Sequence, residues 1–179
     1  MDAKAKKRQK ERRDKIKRNE AKKREVVKDA ILKYDAPELH AECSVISQLE
    51  DLSLINKMKK VLSFTENGVG LSASQIGITK KVFVIRPIIK DKEIKVFINP
   101  EIVEIGKTIA LMTEGCLSYP DFFVDIERPT KIKLKYYDEK FVERIEDFSD
   151  YIARIIQHEQ DHLLGICKVG EAWEKTQNK

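Results

Sequence analysis

Residues 157–162 read Gln-His-Glu-Gln-Asp-His and predict a metal-binding helix near the end of the chain. Two histidines four residues apart on a helix lie on the same face, one turn apart. Their imidazoles can bind one metal ion together, and Glu159 between them can carry a proton beside an open coordination position. The chain has only 3 histidines. Two of them in this pattern favour a metal site over a surface helix that carries histidines by chance.

The sequence on either side of this motif fits a helix. Ser149 can cap the N-terminus, and Gly165 follows at a place where a helix would end. Ile152, Ile155 and Ile156 recur at helical spacing and predict a stripe that faces the core. We therefore expect both histidines to project from a helix that is packed against the rest of the domain.

The length of 179 residues is sufficient for one domain with a substantial core. No apolar run is long enough to cross a bilayer, and the N-terminus lacks the apolar core of a secretion signal. Cys43, Cys116 and Cys167 do not make a disulfide framework, so each remains available as a thiol or as a metal ligand. We predict a cytoplasmic protein that does not span a membrane.

Positive charge is concentrated at the N-terminus. Residues 1–28 contain 14 Lys and Arg against 5 Asp and Glu, a net charge of +9, whereas the remaining residues carry 21 against 25, a net charge of −4. This basic arm has no Gly or Pro and few apolar residues, so it can be helical without a face to bury. We predict a solvated arm, with salt-dependent attraction to a polyanion such as RNA as the functional alternative. The globular domain then occupies residues 29–179.

The middle of the chain predicts one amphipathic helix and several short strands. The helix is indicated by apolar residues at helical spacing, namely Leu52, Ile55, Met58 and Leu62. Three strands are expected at 81–86, 94–99 and 101–105, with Pro100 separating the last two. A further half-buried strand is indicated by Ile132, Leu134 and Tyr136, which alternate with lysines.

Two other segments contain features of a binding site. Residues 67–77 include three glycines and small residues, which indicates a close backbone approach, and Gln75 offers a planar amide with both a donor and an acceptor. The segment lacks the ending of a phosphate-binding loop and the third glycine of a dinucleotide fingerprint. Residues 113–120 contain Cys116 shortly before a proline. A lone cysteine usually acts as a small buried hydrophobic residue. Cys116 becomes a candidate metal ligand because the histidine pair needs a third one.

The third metal ligand decides between classes of enzyme. A metzincin-type protease would need a histidine where the chain has Lys168, and a thermolysin-like site would need a glutamate well downstream, where only Glu171 and Glu174 are available. Cys116 is the other candidate. A site of two histidines and one cysteine with a fourth position for water is an open, catalytic arrangement.

Three motifs together resemble the peptide deformylase family in their order and spacing. They are Gly-Val-Gly-Leu-Ser-Ala-Ser-Gln at 68–75, Glu-Gly-Cys-Leu-Ser at 114–118, and the histidine motif at 157–162. The resemblance covers roughly residues 29 to 168. It differs in Ser72, where the family usually has alanine, and in Asp121, where glycine is common. The long C-terminal helix that is implicated in ribosome docking in many bacterial members is missing, and the basic arm is additional.

The resemblance implies an α+β fold in which short antiparallel sheets pack around a central metal-binding helix. It implies that Cys116, His158 and His162 hold one divalent ion, Fe(II) with Zn or Ni as common replacements. It further implies removal of the N-formyl group from the initiator methionine of nascent polypeptides, with release of formate. Glu159 then acts as general base and general acid. Gln75 Nε2 and the Leu117 backbone N–H then stabilise the anionic oxygen.

The resemblance also implies where the substrate binds. Val69, Gly70 and Gly115 would flank an extended peptide. The methionine side chain would be bound by Val69, Tyr151 and Ile155, and the stem of the nearby Arg154 could pack there with its charge facing outwards. The alternatives are another metal amidohydrolase with two histidines and one cysteine that acts on a different small amide, and a non-catalytic peptide-binding protein on the same fold. With the docking helix missing, the basic arm is expected to attract the ribosome or ribosomal RNA.

Overall fold

A computed structural model describes residues 3–28, 30–47, 53–65, 67–86 and 93–177, and within the first helix it describes the side chains of residues 5–21. The α-helices are α1 (Ala3–Lys28), α2 (Ser53–Phe64), α3 (Asp150–Leu163) and α4 (Lys168–Gln177). The strands are β1 (Gly70–Ser72), β2 (Val82–Ile85), β3 (Lys95–Ile105), β4 (Ile109–Cys116), β5 (Tyr119–Pro129), β6 (Lys131–Tyr137) and β7 (Glu143–Ser149). Short 3₁₀ helices span Pro37–His40 and Ala73–Ile76.

The described strands form two antiparallel sheets. One has five strands in the order β1-β2-β3-β6-β7, and the other is the β4–β5 hairpin. The predicted α+β class with short antiparallel sheets is therefore confirmed. Helix α3 packs on the five-stranded sheet through Ile155, Ile156 and Leu163, in the cluster that contains the stacked rings of Phe83 and Phe97. This packing fixes the helix that carries both histidines.

Both ends of α3 have defined caps. Ser149 occupies the N-cap position as predicted, but its side chain makes no capping hydrogen bond. Gly165 lies in the left-handed region at φ +72°. Its N–H donates to the His162 carbonyl, and the Ile166 N–H donates to the Asp161 carbonyl, which is the Schellman pattern. The predicted helix end is confirmed.

One member of the predicted apolar stripe is not buried. Ile155 and Ile156 are buried, but Ile152 is 37% exposed. Asp150 and Tyr151 are exposed as well, so the whole first turn of α3 lies outside the core and packing begins at Ala153. The prediction for Ile152 was therefore wrong, because helical spacing does not show where along the helix the core begins.

Pro100 does not divide two strands. β3 runs without interruption from Lys95 to Ile105, and its register with β6 shifts between Ile98 and Glu101. Asn99 adopts φ +48° at this bulge, and its side chain makes two 2.8 Å hydrogen bonds to the Ile46 main chain. Proline is tolerated there because a bulge does not need its missing N–H. The predicted separation of 94–99 from 101–105 was wrong.

The other core predictions hold for the residues that can be compared. Ile55, Met58 and Leu62 are buried on α2, while Leu52 lies outside the described residues. Strand β6 has buried side chains at Ile132, Leu134 and Tyr136.

The N-terminal residues form the long helix α1. Its side chains over residues 5–21 are exposed, except for a partly buried Asp14. A polar helix of this kind agrees with the expected solvated arm, whose separation from the globular domain stays a prediction. None of the helices in the described part of the chain is long and apolar enough to cross a membrane.

Candidate metal centre

Three ligand atoms converge where α3 crosses the end of β4. One ligand atom each from Cys116, His158 and His162 lies within 4.8 Å of the others, and Cys116 Sγ is 3.2 Å from His162 Nε2. Cys116 is the last residue of β4, and the histidines are one turn apart on α3. One thiolate and two imidazoles are a donor set that suits zinc and other first-row transition metals. The residues present therefore fit a metal ion.

Hydrogen bonding and burial prepare both imidazoles as ligands. His158 Nδ1 lies 2.9 Å from Glu114 Oε2, so a proton on Nδ1 leaves Nε2 free to bind a metal. His162 is 1% exposed. Burial, together with the nearby His158 and Arg128, holds the pKa of His162 well below its ordinary value. His162 therefore stays neutral, which is the form that binds a metal.

Glu114 is the centre of a buried charge network. Its carboxylate accepts hydrogen bonds from Arg128 at 2.7 and 3.0 Å and from Arg154 at 2.6 Å, in addition to its contact with His158. Burial raises the pKa of Glu114, but the hydrogen bonds from His158 and Arg128 outweigh it and bring the pKa to about 2. Arg128 also pairs with Asp161 on α3 at 2.7 Å. The network ties the hairpin to the helix that carries the histidines.

The expected outward orientation of Arg154 was wrong. Its side chain is buried, and besides Glu114 it donates to the carbonyl oxygens of Ile126 and Ala110 at 2.8 and 2.6 Å. The reason is that Glu114, 40 residues away in the sequence, supplies a buried negative partner. A charge with such a partner need not reach water.

Glu159 is buried beside the metal ligands. Burial is the main cause that raises the pKa of its carboxyl. Ser72 Oγ lies 2.8 Å from Glu159 Oε2, and a Cβ built on Gly70 would lie only 2.7 Å from Glu159 Cδ. A side chain at position 70 would therefore displace this carboxylate, in agreement with the close backbone approach predicted for the glycine-rich segment.

Gln75 is also held beside Cys116. Its Oε1 accepts the Ser72 N–H at 3.0 Å, and its Nε2 lies 3.5 Å from Cys116 Sγ and 3.2 Å from Ser118 Oγ. The amide therefore has a fixed orientation with its donor side towards Cys116. Leu117 directly follows Cys116 and is half-buried.

A cavity of about 440 Å³ opens onto this cluster. It is lined by every residue predicted from the sequence for the site except His162, namely Val69, Gly70, Gln75, Gly115, Cys116, Leu117, Tyr151, Ile155, His158 and Glu159. The structure therefore brings these residues together in one place.

Sequence reasoning missed the network residues. Glu114 was quoted within a motif but was given no role, although strand alternation places it on the same face as Cys116, two residues later. That alternation was the available signal. Arg128 and Asp161 could not be paired from the sequence because they lie 33 residues apart.

The thiol of Cys167 packs beside the site. Cys116 and Cys167 belong to one buried cluster, and Cys167 Sγ accepts the Gly170 N–H at 3.3 Å. A hydrogen bond with Cys167 and burial both raise the pKa of Cys116 well above its ordinary value. Metal binding at this site therefore releases a proton from Cys116.

Comparison with known proteins agrees with this geometry. The family model described as polypeptide deformylase matches residues 28–178. The chain is 37% identical over 132 residues to the peptide deformylase of Pseudothermotoga lettingae, covering 73% of this chain and 74% of that protein. It is 38% identical over 155 residues to that of Brachyspira hyodysenteriae, covering 82% of each.

Solved structures give the same result. A Met-Ala-Ser-bound crystal structure of the class I type b peptide deformylase from Acinetobacter baumannii superposes with a TM-score of 0.69 at 32% identity, covering 78% of this chain and 94% of that one. Among the described residues, the group that can hold a metal is Cys116, His158 and His162, and it includes neither Glu171 nor Glu174. Lys168 lies exposed at the start of α4, so neither protease alternative has its third ligand. The chain therefore belongs to the polypeptide deformylase family of metal-dependent hydrolases, with Cys116, His158 and His162 as its metal site.

Proposed function

We propose that the chain removes the N-formyl group from the initiator methionine of nascent polypeptides and releases formate. The observation that supports this most strongly is that Glu159, Gln75 and the Cys/His/His ligand set line or adjoin one cavity. The related enzyme from Acinetobacter baumannii was crystallised with Met-Ala-Ser bound. A peptide that begins with methionine is therefore the substrate class that we assign to this cavity.

Glu159 performs the proton transfers. A divalent ion bound by Cys116, His158 and His162 would supply Lewis acidity and would lower the pKa of a water from about 16 towards about 7. Glu159 accepts the proton of the attacking water and later donates it to the leaving amine. Its burial raises the pKa of the carboxyl above the ordinary value, which suits a group that must both take and give a proton.

Gln75 and Leu117 stabilise the formyl oxygen as it becomes an anion. The Gln75 amide cannot rotate freely, because the Ser72 N–H holds its Oε1 and leaves Nε2 facing the ligand cluster. The Leu117 backbone N–H is the second donor, next to Cys116. Removing one such donor typically lowers kcat about a hundredfold to a thousandfold.

The peptide binds between two strand edges. Gly70 belongs to β1, which is the outer strand of the five-stranded sheet, and Gly115 belongs to β4, which pairs with β5 alone among the described strands. Both line the cavity, so their free backbone groups can pair with an extended peptide. Val69, Tyr151 and Ile155 bind the methionine side chain.

The metal is Fe(II) in this proposal. Imidazole and thiolate ligands accept Fe, Zn, Ni and Co, so the ligand set supports iron without excluding zinc or nickel. Metal analysis of protein purified without oxygen tests this assignment. Iron at one ion per chain supports it, and zinc alone under the same conditions contradicts it.

The basic arm attracts the ribosome in the cytoplasm. Helix α1 carries the excess of Lys and Arg, and its described side chains are exposed apart from the partly buried Asp14. Attraction to RNA through such charges weakens steeply with salt. Co-sedimentation with ribosomes at low salt tests this, using a full-length variant in which the lysines of residues 1–28 are replaced by glutamine. Unchanged co-sedimentation of that variant contradicts the proposal.

Formate release tests the activity itself. The Fe(II) protein is given formyl-Met-Ala-Ser or acetyl-Met-Ala-Ser, and the released acid is measured. We expect formate from the first peptide and little acetate from the second, because an acetyl group carries a methyl where the formyl group has only a hydrogen, and that methyl would have to fit beside the buried Glu159 carboxylate. Equal turnover of both peptides, or of neither, contradicts the proposed substrate.

A further inference from the structure

Ser72 contacts the carboxylate of Glu159 but does not itself line the cavity. Ser72 is the last residue of β1 and is fully buried. Its Oγ lies 2.8 Å from Glu159 Oε2 and 2.9 Å from the Glu159 carbonyl oxygen. A hydroxyl has one hydrogen to donate, and the bond to a charged carboxylate is the stronger of the two choices.

The two carboxylate oxygens of Glu159 have different surroundings. Oε2 faces the Ser72 hydroxyl, whereas Oε1 lies against Gly70, where a Cβ would overlap it. Gly70 and Glu159 both line the cavity. Oε1 is therefore the oxygen that remains for exchange of a proton with a group in the cavity.

Ser72 anchors the Glu159 side chain, and its Oγ also accepts the Gln75 backbone N–H at the start of the following 3₁₀ helix. Within the described part of the chain, no hydrogen-bond donor other than Ser72 reaches the Glu159 carboxylate. Glu159 has two methylene groups and would otherwise rotate about them. Catalytic groups act efficiently when hydrogen bonds and packing lock their rotamers within about 0.5 Å of the productive geometry. The alanine that is usual here in the family cannot supply this bond.

We infer that Ser72 is a positioning residue for proton transfer: its hydroxyl fixes Oε2 of Glu159, so that Oε1 is the oxygen that takes and returns the proton. The inference rests on the proposed role of Glu159. It adds a residue to the reaction without assigning Ser72 any contact with the substrate.

Kinetics of Ser72→Ala test the inference. A hydrogen bond to a charged group is worth enough for kcat to fall roughly tenfold when the bond is removed. We expect this fall with KM for formyl-Met-Ala-Ser unchanged and with one metal ion retained per chain. Ser74→Ala is the matched control, because Ser74 is equally buried but its Oγ approaches the His162 carbonyl at 3.4 Å and not Glu159. Its kcat should remain within about twofold of the parent, because a bond at 3.4 Å is weak.

A second readout does not depend on activity. In the metal-free protein we expect Ser72→Ala to lower the denaturation midpoint, and we expect that effect to shrink in a Glu159→Ala background, where the hydroxyl has lost its carboxylate partner. The inference would be overturned if Ser72→Ala lowered the midpoint equally in both backgrounds. It would also be overturned if Ser72→Ala and Ser74→Ala lowered kcat equally, or if Ser72→Ala raised KM at constant kcat. A parent that releases no formate refutes the proposed function instead, and the midpoints still decide whether Ser72 holds Glu159.

Discussion

Replacing Glu114 by glutamine should weaken both the fold and the metal site. The carboxylate of Glu114 joins β4 to α3 through His158, Arg128 and Arg154, and its side chain is 6% exposed. Glutamine keeps the shape but carries no charge and presents an amide NH₂ to one of these donors. Arg128 and Arg154 are then left without the carboxylate that they share.

The loss of stability follows from the pKa of Glu114. A carboxyl whose pKa is depressed from its ordinary 4.5 to about 2 stabilises the folded state by about 3 kcal/mol at neutral pH. Removing one partner of a buried ion pair costs a comparable amount, about 3–5 kcal/mol. For a domain of this size, about 3 kcal/mol corresponds to a melting temperature lower by roughly 6–12 °C.

Thermal unfolding of the metal-free protein measures this loss. Glu104→Gln is the matched control, because Glu104 pairs with Lys133 at 2.8 Å on the surface, and this variant should leave the melting temperature nearly unchanged. The folded pKa of Glu114 lies below the unfolded one, so its contribution is present above pH 4.5 and is lost as the pH falls towards 2. The difference between parent and Glu114→Gln should therefore vanish in acid.

Metal affinity provides the second measurement on Glu114→Gln. Loss of a residue that orients a ligating histidine typically weakens metal binding about 10–100-fold. Competition with a chelator should show this weakening for Glu114→Gln and not for Glu104→Gln. Equal melting temperatures and equal metal affinities for the two variants would refute the role assigned to the buried network.

Three further outcomes are expected. Asp121→Gly should stabilise the chain by about 0.5–1 kcal/mol in chemical denaturation, because Asp121 adopts φ +59°, a left-handed conformation that glycine adopts without strain. A decrease in the free energy of unfolding would contradict this. Gly70→Ala should reduce kcat for formyl-Met-Ala-Ser more than about tenfold, because the new Cβ displaces the Glu159 carboxylate. A catalytic group misplaced by about 1 Å can lower the rate about a hundredfold. A kcat equal to that of the parent would argue against the close packing of Gly70 and Glu159. Metal analysis should find one ion per chain in Cys167→Ala and none in Cys116→Ala. Loss of the metal ion in both variants would make Cys167 a ligand.

The helix and its histidines could be predicted because the information is local. An i, i+4 pair followed by Gly165 specifies a helical face and its end within a few residues. Cys116 lies 42 residues before His158, and no periodicity connects them. Cys116 was one candidate for the third ligand, and the resemblance of three motifs assigned it that role.

Apart from Ile152, the sequence-based errors concern long-range partners. Arg154 faces inwards because Glu114 comes from another element, and β3 passes through Pro100 because a bulge absorbs the missing N–H. The bond between Ser72 and Glu159 joins residues 87 positions apart. None of these contacts leaves a pattern within a window of neighbouring residues.

Formate release by Glu159→Gln, with metal content measured on the same sample, tests the central claim most directly. The account predicts one ion per chain in both the parent and the variant, since Glu159 is not among the three ligands. It also predicts a fall in kcat of about a hundredfold to ten-thousandfold, the usual contribution of a general acid–base group. Turnover close to that of the parent, at equal metal content, would contradict the account.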